Sequence, residues 1–391
     1  MISYKYLIVG GGLTAAGAVE GIRSVDQQGE IGMIGAEAHP PYVRPLLSKG
    51  LWMGKPFDKV WRDISDRGVN MHLGRKVTEL DPQEKRIRDE EGDEYGYEKL
   101  LLATGGTPRK LPFGKERILY FRTLNDYHEL RKLTGQAQKF GVIGGGFIGS
   151  ELAAALRMND QQVVMVFPED GIGALVYPQD LSQSISDYYR EKGVEVRSGE
   201  LIEGVQDQEQ GYQLQTKNGE AIQVDRIVAG IGIRPNVDLA KSVGIEVDDG
   251  ILVDENLQTN LPDIYAAGDV ASFYNPALDK RMRVEHEDNA LTMGKYAGQN
   301  MAGERTAYHY LPFFYSDLFD LGYEAVGELN SKLETVSDWK EPYRKGVVYY
   351  LKDGRVRGVL LWNTWGKVDA ARELINSRQQ FTADELKGKI E

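Results

Sequence analysis

Tyr6-Leu7-Ile8-Val9-Gly10-Gly11-Gly12-Leu13-Thr14-Ala15 decides the first part of the fold. Phe140-Gly141-Val142-Ile143-Gly144-Gly145-Gly146-Phe147-Ile148-Gly149, about 130 residues further on, decides the second. Each is an apolar strand-like run that turns through three glycines into a helix-like run. Gly10 and Gly144 allow the tight turn, and Gly12 and Gly146 let the backbone approach a pyrophosphate with no Cβ in the way. Ala15 and Gly149 let the helix pack close to the sheet, and the helix N-terminus offers free N–H groups to phosphate. One such turn occurs in many α/β folds without a dinucleotide. Two in one chain suggest two dinucleotides, most economically a flavin and a nicotinamide. An acidic residue is expected after the second strand of each unit to accept from a ribose hydroxyl. Glu37 follows Ile31-Gly32-Met33-Ile34-Gly35-Ala36, and Glu169 follows Val163-Val164-Met165-Val166-Phe167-Pro168. Neither has an adjacent Arg or Lys for a 2′-phosphate, which favours NAD over NADP; the alternative is that both are solvated loop acids.

At 391 residues the chain should form two or three domains. Hydrophobic content of 41% and charged content of 27% are those of an ordinary globular protein, and no apolar run is long enough to span a membrane. The N-terminus enters a strand almost at once, which leaves no room for a signal or transit peptide and reads as cytoplasmic, a processed organelle protein being the alternative. A formal charge of −12 argues against nucleic acid or an anionic membrane as main partner. The chain has no cysteine, so a redox-active disulfide, a cysteine sulfenate and a thiolate-ligated Fe–S centre are all ruled out. Five scattered histidines predict no metal cluster.

The expected fold is α/β: two Rossmann-like dinucleotide-binding domains, each a three-layer ββα unit, plus a small α+β C-terminal domain. Residues 1–114 and 246–305 are expected to form a FAD-binding domain, 115–245 a NAD-binding domain and 306–391 the C-terminal domain. Segment 72–100 alternates as a meander should. Leu100 to Pro108 reads as a buried strand entering a tight loop, and Ile227 to Pro235 echoes it after a second β-rich stretch, 194–225, so the two halves look like one duplicated architecture. Segment 261–271 is another strand, ending in Gly268-Asp269, which belongs back in the first domain. A helix over 288–302 carries Ala290, Gly294, Ala297 and Gly298 along one side. Val347 to Leu351, a turn at Asp353-Gly354 and Val356 to Trp362 form a hairpin signal, and 367–378 a short amphipathic helix.

These residues resemble the FAD- and NAD-dependent pyridine nucleotide oxidoreductases, in particular the cysteine-free branch of ferredoxin reductases and apoptosis-inducing factors. The resemblance covers nearly the whole chain. It is carried by Pro41 to Lys49, Ala103 to Arg109, Gly144 to Glu151, Arg283-Val284-Glu285-His286, Tyr315 to Leu318, Gly322 to Ala325 and Gly346 to Asn363. It implies that Gly10, Gly12, Ala15, Glu37, Arg44, Lys49, Val77, Ala103, Thr104, Gly105, Arg109, Asp269 and His286 line FAD. Gly145, Gly146, Phe147, Ile148, Glu151, Glu169, Gly232, Glu285, Glu324 and Asn363 would line NAD. Asp269 would accept from a ribityl hydroxyl, the 288–302 helix would aim its N-terminus at the flavin pyrimidine, and Phe147 would stack on or gate the nicotinamide side. A Lys49–Glu151 pair would sit beside flavin N5 and act there, the alternative being a plain interdomain salt bridge; for His286 the alternative is a helix-capping histidine.

The departures also inform. Tyr315 stands where the family usually carries Trp, a smaller ring for stacking. The stretch from Trp52 to Val77 is shorter than in the animal apoptosis-inducing factors, and an insertion between Trp339 and Lys345 is missing, so their redox-linked rearrangement is not carried over. The activity implied is hydride transfer from NADH to flavin N5, with electrons passed on to a ferredoxin, quinone or dye. The alternative is an NADH-responsive binding protein that forms a long-lived charge-transfer complex. Lys280, Arg281 and Arg283 are candidates for a basic docking patch, or are merely solvated; a homodimer is allowed for.

Overall fold

In a computed structural model, residues 1–390 are described. They fall into two compact units. The first comprises Met1–Val43, Asp58–Thr107 and Arg234–Pro312; the second comprises Arg44–Phe57, Pro108–Ile233 and Phe313–Glu391.

The first unit is organised by a sheet whose parallel part runs Val69–Leu73, Ile31–Gly35, Ile2–Val9 and Glu94–Leu102. Glu94–Leu102 is shared along its length. Its start pairs antiparallel with Arg86–Asp89, which continues to Val77–Asp81, and its end pairs in parallel with Ile264–Ala266. The return of segment 261–271 to the first sheet is as the sequence leads one to expect. The meander is shorter than expected: His72 and Leu73 end a parallel strand beside Ile31–Gly35, and the antiparallel strands begin at Val77. Alternation is ambiguous there because Val69–Leu73 is only partly buried. Two helices, Leu13–Val25 and Glu287–Met301, cross with their backbones in contact. A Cβ on Gly17 or Gly21 would lie 2.3 or 2.0 Å from the carbonyl oxygens of Leu291 and Lys295. One on Gly294 or Gly298 would lie 2.2 or 2.1 Å from those of Thr14 and Ala18. The small residues of 288–302 therefore face glycines on the first fingerprint helix.

The second unit repeats the plan. Its parallel sheet runs Val194–Ser198, Gln162–Phe167, Lys139–Ile143, Arg226–Ala229 and Ile118–Tyr120. The antiparallel strands Ile202–Asp207, Tyr212–Thr216 and Ala221–Val224 contribute Leu214, Ile222 and Val224 to the core beneath Val164 and Ile143. A five-stranded antiparallel sheet in the order Phe313–Leu318, Leu321–Gly327, Arg355–Trp362, Lys345–Lys352, Glu334–Glu341 completes it, with the helix Val368–Asn376 packed on its face. Asp353 and Gly354 both have positive φ, the conformation of a two-residue hairpin turn.

Arg44–Phe57 lies inside the sequence span expected for the first domain yet packs in the second unit. Trp52 anchors it. The indole is buried, donates to the Leu47 carbonyl at 2.7 Å, meets Tyr127 edge-on at 5.8 Å and is covered by the Arg131 guanidinium at 4.6 Å. Among the described residues no helix is long and apolar enough to cross a membrane.

Candidate active site

Both fingerprints have the geometry of a phosphate cradle. Gly10 has φ +132°, and a Cβ there would lie 2.1 Å from the Ala103 carbonyl oxygen; Gly144 has φ +116°, and its Cβ would lie 2.4 Å from that of Gly230. Only glycine turns the chain at these points. Gly12 and Gly146 are different: each is extended, occupies the N-cap of its helix, and would point a Cβ into open space. The space is what a pyrophosphate needs. Neither helix, Leu13–Val25 nor Phe147–Met158, has a side chain capping its N-terminus, so the first-turn N–H groups are presented outward. Ala15 is fully buried, and Gly149 approaches the Gly144 carbonyl so closely that a Cβ would lie 2.0 Å from it. The residues present thus fit two dinucleotides. Bound FAD supplies the two-electron acceptor chemistry that no side chain of this cysteine-free protein can.

In the first unit Glu37 follows the strand Ile31–Gly35 and accepts from the Tyr42 hydroxyl at 2.6 Å. Val77 opens an antiparallel strand and is half-buried. Ala103 backs Gly10. Thr104 is held in place by Asn236: its hydroxyl donates to the Asn236 carbonyl and its own carbonyl accepts from Asn236 Nδ2, both at 2.8 Å. Gly105 has φ +61° and accepts from the Asn236 N–H. Asp269 lies in a short helical turn and its carbonyl accepts from Arg283. His286 occupies the N-cap of Glu287–Met301 without its ring capping the helix. Glu285 pairs with Arg283 at 2.6 Å.

Of the basic patch drawn from sequence, Lys280 and Arg281 are exposed, whereas the Arg283 side chain is enclosed. Arg283 is 7% exposed and is committed to Glu285 and Asp249, and Arg281 donates to the carbonyls of Val253 and Ser272. Charge is legible in sequence, whereas its neutralisation by neighbours is not.

In the second unit Arg44 donates to the Arg122 carbonyl at 3.0 Å. Arg109 is exposed, and its backbone N–H and Nε reach the carbonyls of Gly232 and Ile233. Gly232 has φ +85°. Gly145 is buried against the Phe167 ring and Ile148 is exposed. Phe147 is half-buried, edge-on to Phe314 at 5.4 Å. Glu169 follows Gln162–Phe167, and its carbonyl accepts from Gly199. Glu324 Oε2 accepts from the Gly366 N–H at 2.9 Å; Asn363 Oδ1 accepts from Gly322 N–H and its Nδ2 donates to the Arg344 carbonyl. Glu324 and Asn363 therefore brace the turn after Arg355–Trp362.

Lys49 and Glu151 do meet. Lys49 Nζ lies 3.0 Å from Glu151 Oε1, and their side chains are 7% and 5% exposed. Lys49 also donates to the Tyr315 carbonyl at 3.0 Å, with its ammonium 4.3 Å from the centroid of the Tyr315 ring. Two residues that sequence reasoning did not assign complete the cluster. The Ser48 hydroxyl donates to Glu151 Oε2 at 2.6 Å, and the Ser316 hydroxyl donates to Oε1 at 2.7 Å. Beyond them lie the buried rings of Tyr177, Tyr323 and Trp362, the last two stacked at 5.6 Å, and Tyr189, which donates to the Ser150 carbonyl. Burial pushes the phenols of Tyr189 and Tyr323 well above the ordinary range, and the Glu151 charge adds to it.

Residues 4–294 match the family described as pyridine nucleotide-disulphide oxidoreductase, and residues 297–342 and 337–377 match the C-terminal domain of mitochondrion-associated apoptosis-inducing factor. The chain belongs to the pyridine nucleotide-disulphide oxidoreductase family. It is 37% identical to apoptosis-inducing factor 1, mitochondrial, of Dictyostelium discoideum, over 96% of this chain and 79% of that one. It is 34% identical to the ferredoxin reductase subunit of a 5,5'-dehydrodivanillate O-demethylase from Sphingobium sp., over 91% and 89%. The reductase in a covalent putidaredoxin reductase–putidaredoxin complex superposes with a TM-score of 0.91 at 27% identity, over 98% of this chain and 95% of that one. With this membership and its two dinucleotide cradles, the protein is an FAD-dependent oxidoreductase that draws electrons from NADH and passes them to an acceptor. The family's disulphide has no counterpart in a chain without cysteine.

Proposed function

We propose that the acceptor is a ferredoxin-type one-electron carrier and that Lys49 and Glu151 act at the junction of flavin and nicotinamide. On this reading residues 1–114 and 246–305 hold FAD, 115–245 hold NADH through Glu169, and 306–391 supply Tyr315 to the same cluster; the setting is the cytoplasm. One observation carries it. A buried ion pair is a weak source of stability, because desolvation offsets most of the attraction. Yet the Lys49–Glu151 pair is kept buried, with Glu151 on the helix whose N-terminus is shaped for the second dinucleotide. A pair of that kind, in that place, fits a role in electrostatics at the reacting centre. The two ferredoxin-reductase relatives favour the carrier.

The test is stopped-flow reduction of the bound flavin by NADH in wild type, Lys49→Ala and Glu151→Ala, followed by turnover with a [2Fe–2S] ferredoxin. Both variants should slow reduction while melting within a few degrees of wild type. Normal rates in destabilised variants would make the pair a structural bridge. The likeness to apoptosis-inducing factor favours a second reading, an NADH-responsive binding protein. Titration with NADH under air separates the two: rapid bleaching and reoxidation over many turnovers means a reductase, whereas slow reoxidation with a persistent long-wavelength band means the sensor.

A further inference from the structure

Glu151 accepts from three donors, and two of them are serines. Oε2 is held by Ser48 alone, and Oε1 is divided between Ser316 and Lys49. All four side chains are buried. The donors come from two places in the chain, Ser48 and Lys49 from the anchored segment Arg44–Phe57 and Ser316 from the strand Phe313–Leu318, and the accepting carboxylate from a third, the helix Phe147–Met158. Each serine directly adjoins a residue that Lys49 also involves: Ser48 precedes Lys49 itself, and Ser316 follows Tyr315, whose carbonyl and ring both contact the ammonium. Moving the carboxylate therefore moves the ammonium.

We propose that Ser48 and Ser316 are positioning residues, whose hydroxyls fix the Glu151 carboxylate in the one orientation that holds Lys49 against Tyr315. A glutamate side chain has three rotatable bonds. With only the contact to Lys49, whose ammonium is shared with the Tyr315 carbonyl, its carboxylate could turn and carry the ammonium away from the ring. Two short hydroxyl contacts, one to each oxygen, remove that freedom. Hydrogen bonds to charged groups are the stronger class, and a buried acceptor left without its donor is destabilised by more than the bond itself contributes. The inference rests on the reading that the Lys49–Glu151 pair governs flavin reduction.

The experiment uses the FAD-loaded protein. Ser48→Ala and Ser316→Ala are made singly in wild type and again in a Glu151→Ala background, with NADH as reductant. The readouts are the limiting rate of flavin reduction, the NADH dissociation constant, the visible flavin spectrum and the melting temperature. In the wild-type background each serine variant should lower the limiting rate roughly tenfold, shift the flavin spectrum and leave the NADH dissociation constant within about twofold. In the Glu151→Ala background the same substitutions should change neither rate nor spectrum, because the group they position is gone. Equal slowing in both backgrounds would overturn the proposal and make the serines part of the packing. Unaltered rates for both serine variants, alongside a slow Glu151→Ala, would also overturn it. A Glu151→Ala protein that reduces normally would instead defeat the parent reading, so the two failures are distinct.

Discussion

Replacing Gly146 with Ala separates binding from folding. Gly146 has φ −83° and ψ −165°, an extended conformation open to any residue, and an added Cβ meets no atom within 4 Å. The variant should therefore fold within about 0.5 kcal/mol of wild type, as surface substitutions away from special features do. The new methyl occupies the space over the uncapped N-terminus of Phe147–Met158. It would push a pyrophosphate out of reach of at least one first-turn N–H, costing about 1.5–3 kcal/mol for a hydrogen bond to a charged group. A share of the helix-terminus attraction, roughly 0.3–1 kcal/mol, goes with it. Together these weaken nicotinamide dinucleotide binding by about 2–4 kcal/mol, roughly 30- to 700-fold. Gly144→Ala behaves otherwise: φ +116° and a Cβ 2.4 Å from the Gly230 oxygen give strain of about 1–3 kcal/mol and overpacking of similar size. It should lower stability before binding is reached. Calorimetric titration of the FAD-loaded protein with NAD+, beside melting curves and flavin content, decides the matter. If Gly146→Ala binds NAD+ as wild type does, the pyrophosphate does not lie at this helix and the cradle assignment is wrong.

Gly298→Ala should destabilise the protein by about 1–2 kcal/mol in urea unfolding. Helix propensity alone predicts a gain of about 1 kcal/mol, but the Cβ would lie 2.1 Å from the Ala18 carbonyl, and the overlap wins; a stabilised variant would show that the two helices separate freely. Glu169→Ala should narrow the preference for NADH over NADPH by roughly 1–2 kcal/mol in stopped-flow flavin reduction, the scale of a lost charge-assisted hydrogen bond; an unchanged ratio removes Glu169 from the ribose site. His72 is bonded to the Tyr4 hydroxyl at 2.8 Å, and burial, seconded by Arg75, holds its ring below the ordinary histidine range. The unfolded chain then binds a proton that the folded one refuses. His72 should make stability fall as pH drops from about 6.5 towards the depressed folded value. Melting temperatures of His72→Gln should be flatter than wild type across that window.

How much of this is legible in sequence depends on whether the signal is local. The cradles are local: turn, open glycine and helix follow one another within ten residues, and the structure keeps them in that order. The hairpin around Asp353-Gly354 is local too. Where a segment has two partners, the pattern blurs. His72 and Leu73 alternate like a meander but pair in parallel, because their register is set by Ile31–Gly35 and not by their neighbours in sequence. Charge misleads in the same way, since nothing near Arg283 in sequence announces that Asp249 also pairs with it.

The Lys49–Glu151 cluster lies at the far end of that scale. The three stretches that supply it are separated by about a hundred residues or more, and the serines carry no pattern at all, serine being common in every loop and strand. What makes them a site is the route of one segment. Arg44–Phe57 has only short helical turns of its own, so the position of Lys49 is not set by regular structure. It is set by Trp52, whose ring is gripped between Tyr127 and Arg131 and whose carbonyl accepts from Asn159, a residue just beyond the helix that carries Glu151. The lysine and the glutamate are thus referred to a single helix, the glutamate through its second turn and the lysine through its end. A buried pair fixed at both ends in this way can hold its geometry without a strand or helix under the lysine. That arrangement gives a physical reason for a tryptophan three residues from the reacting cluster.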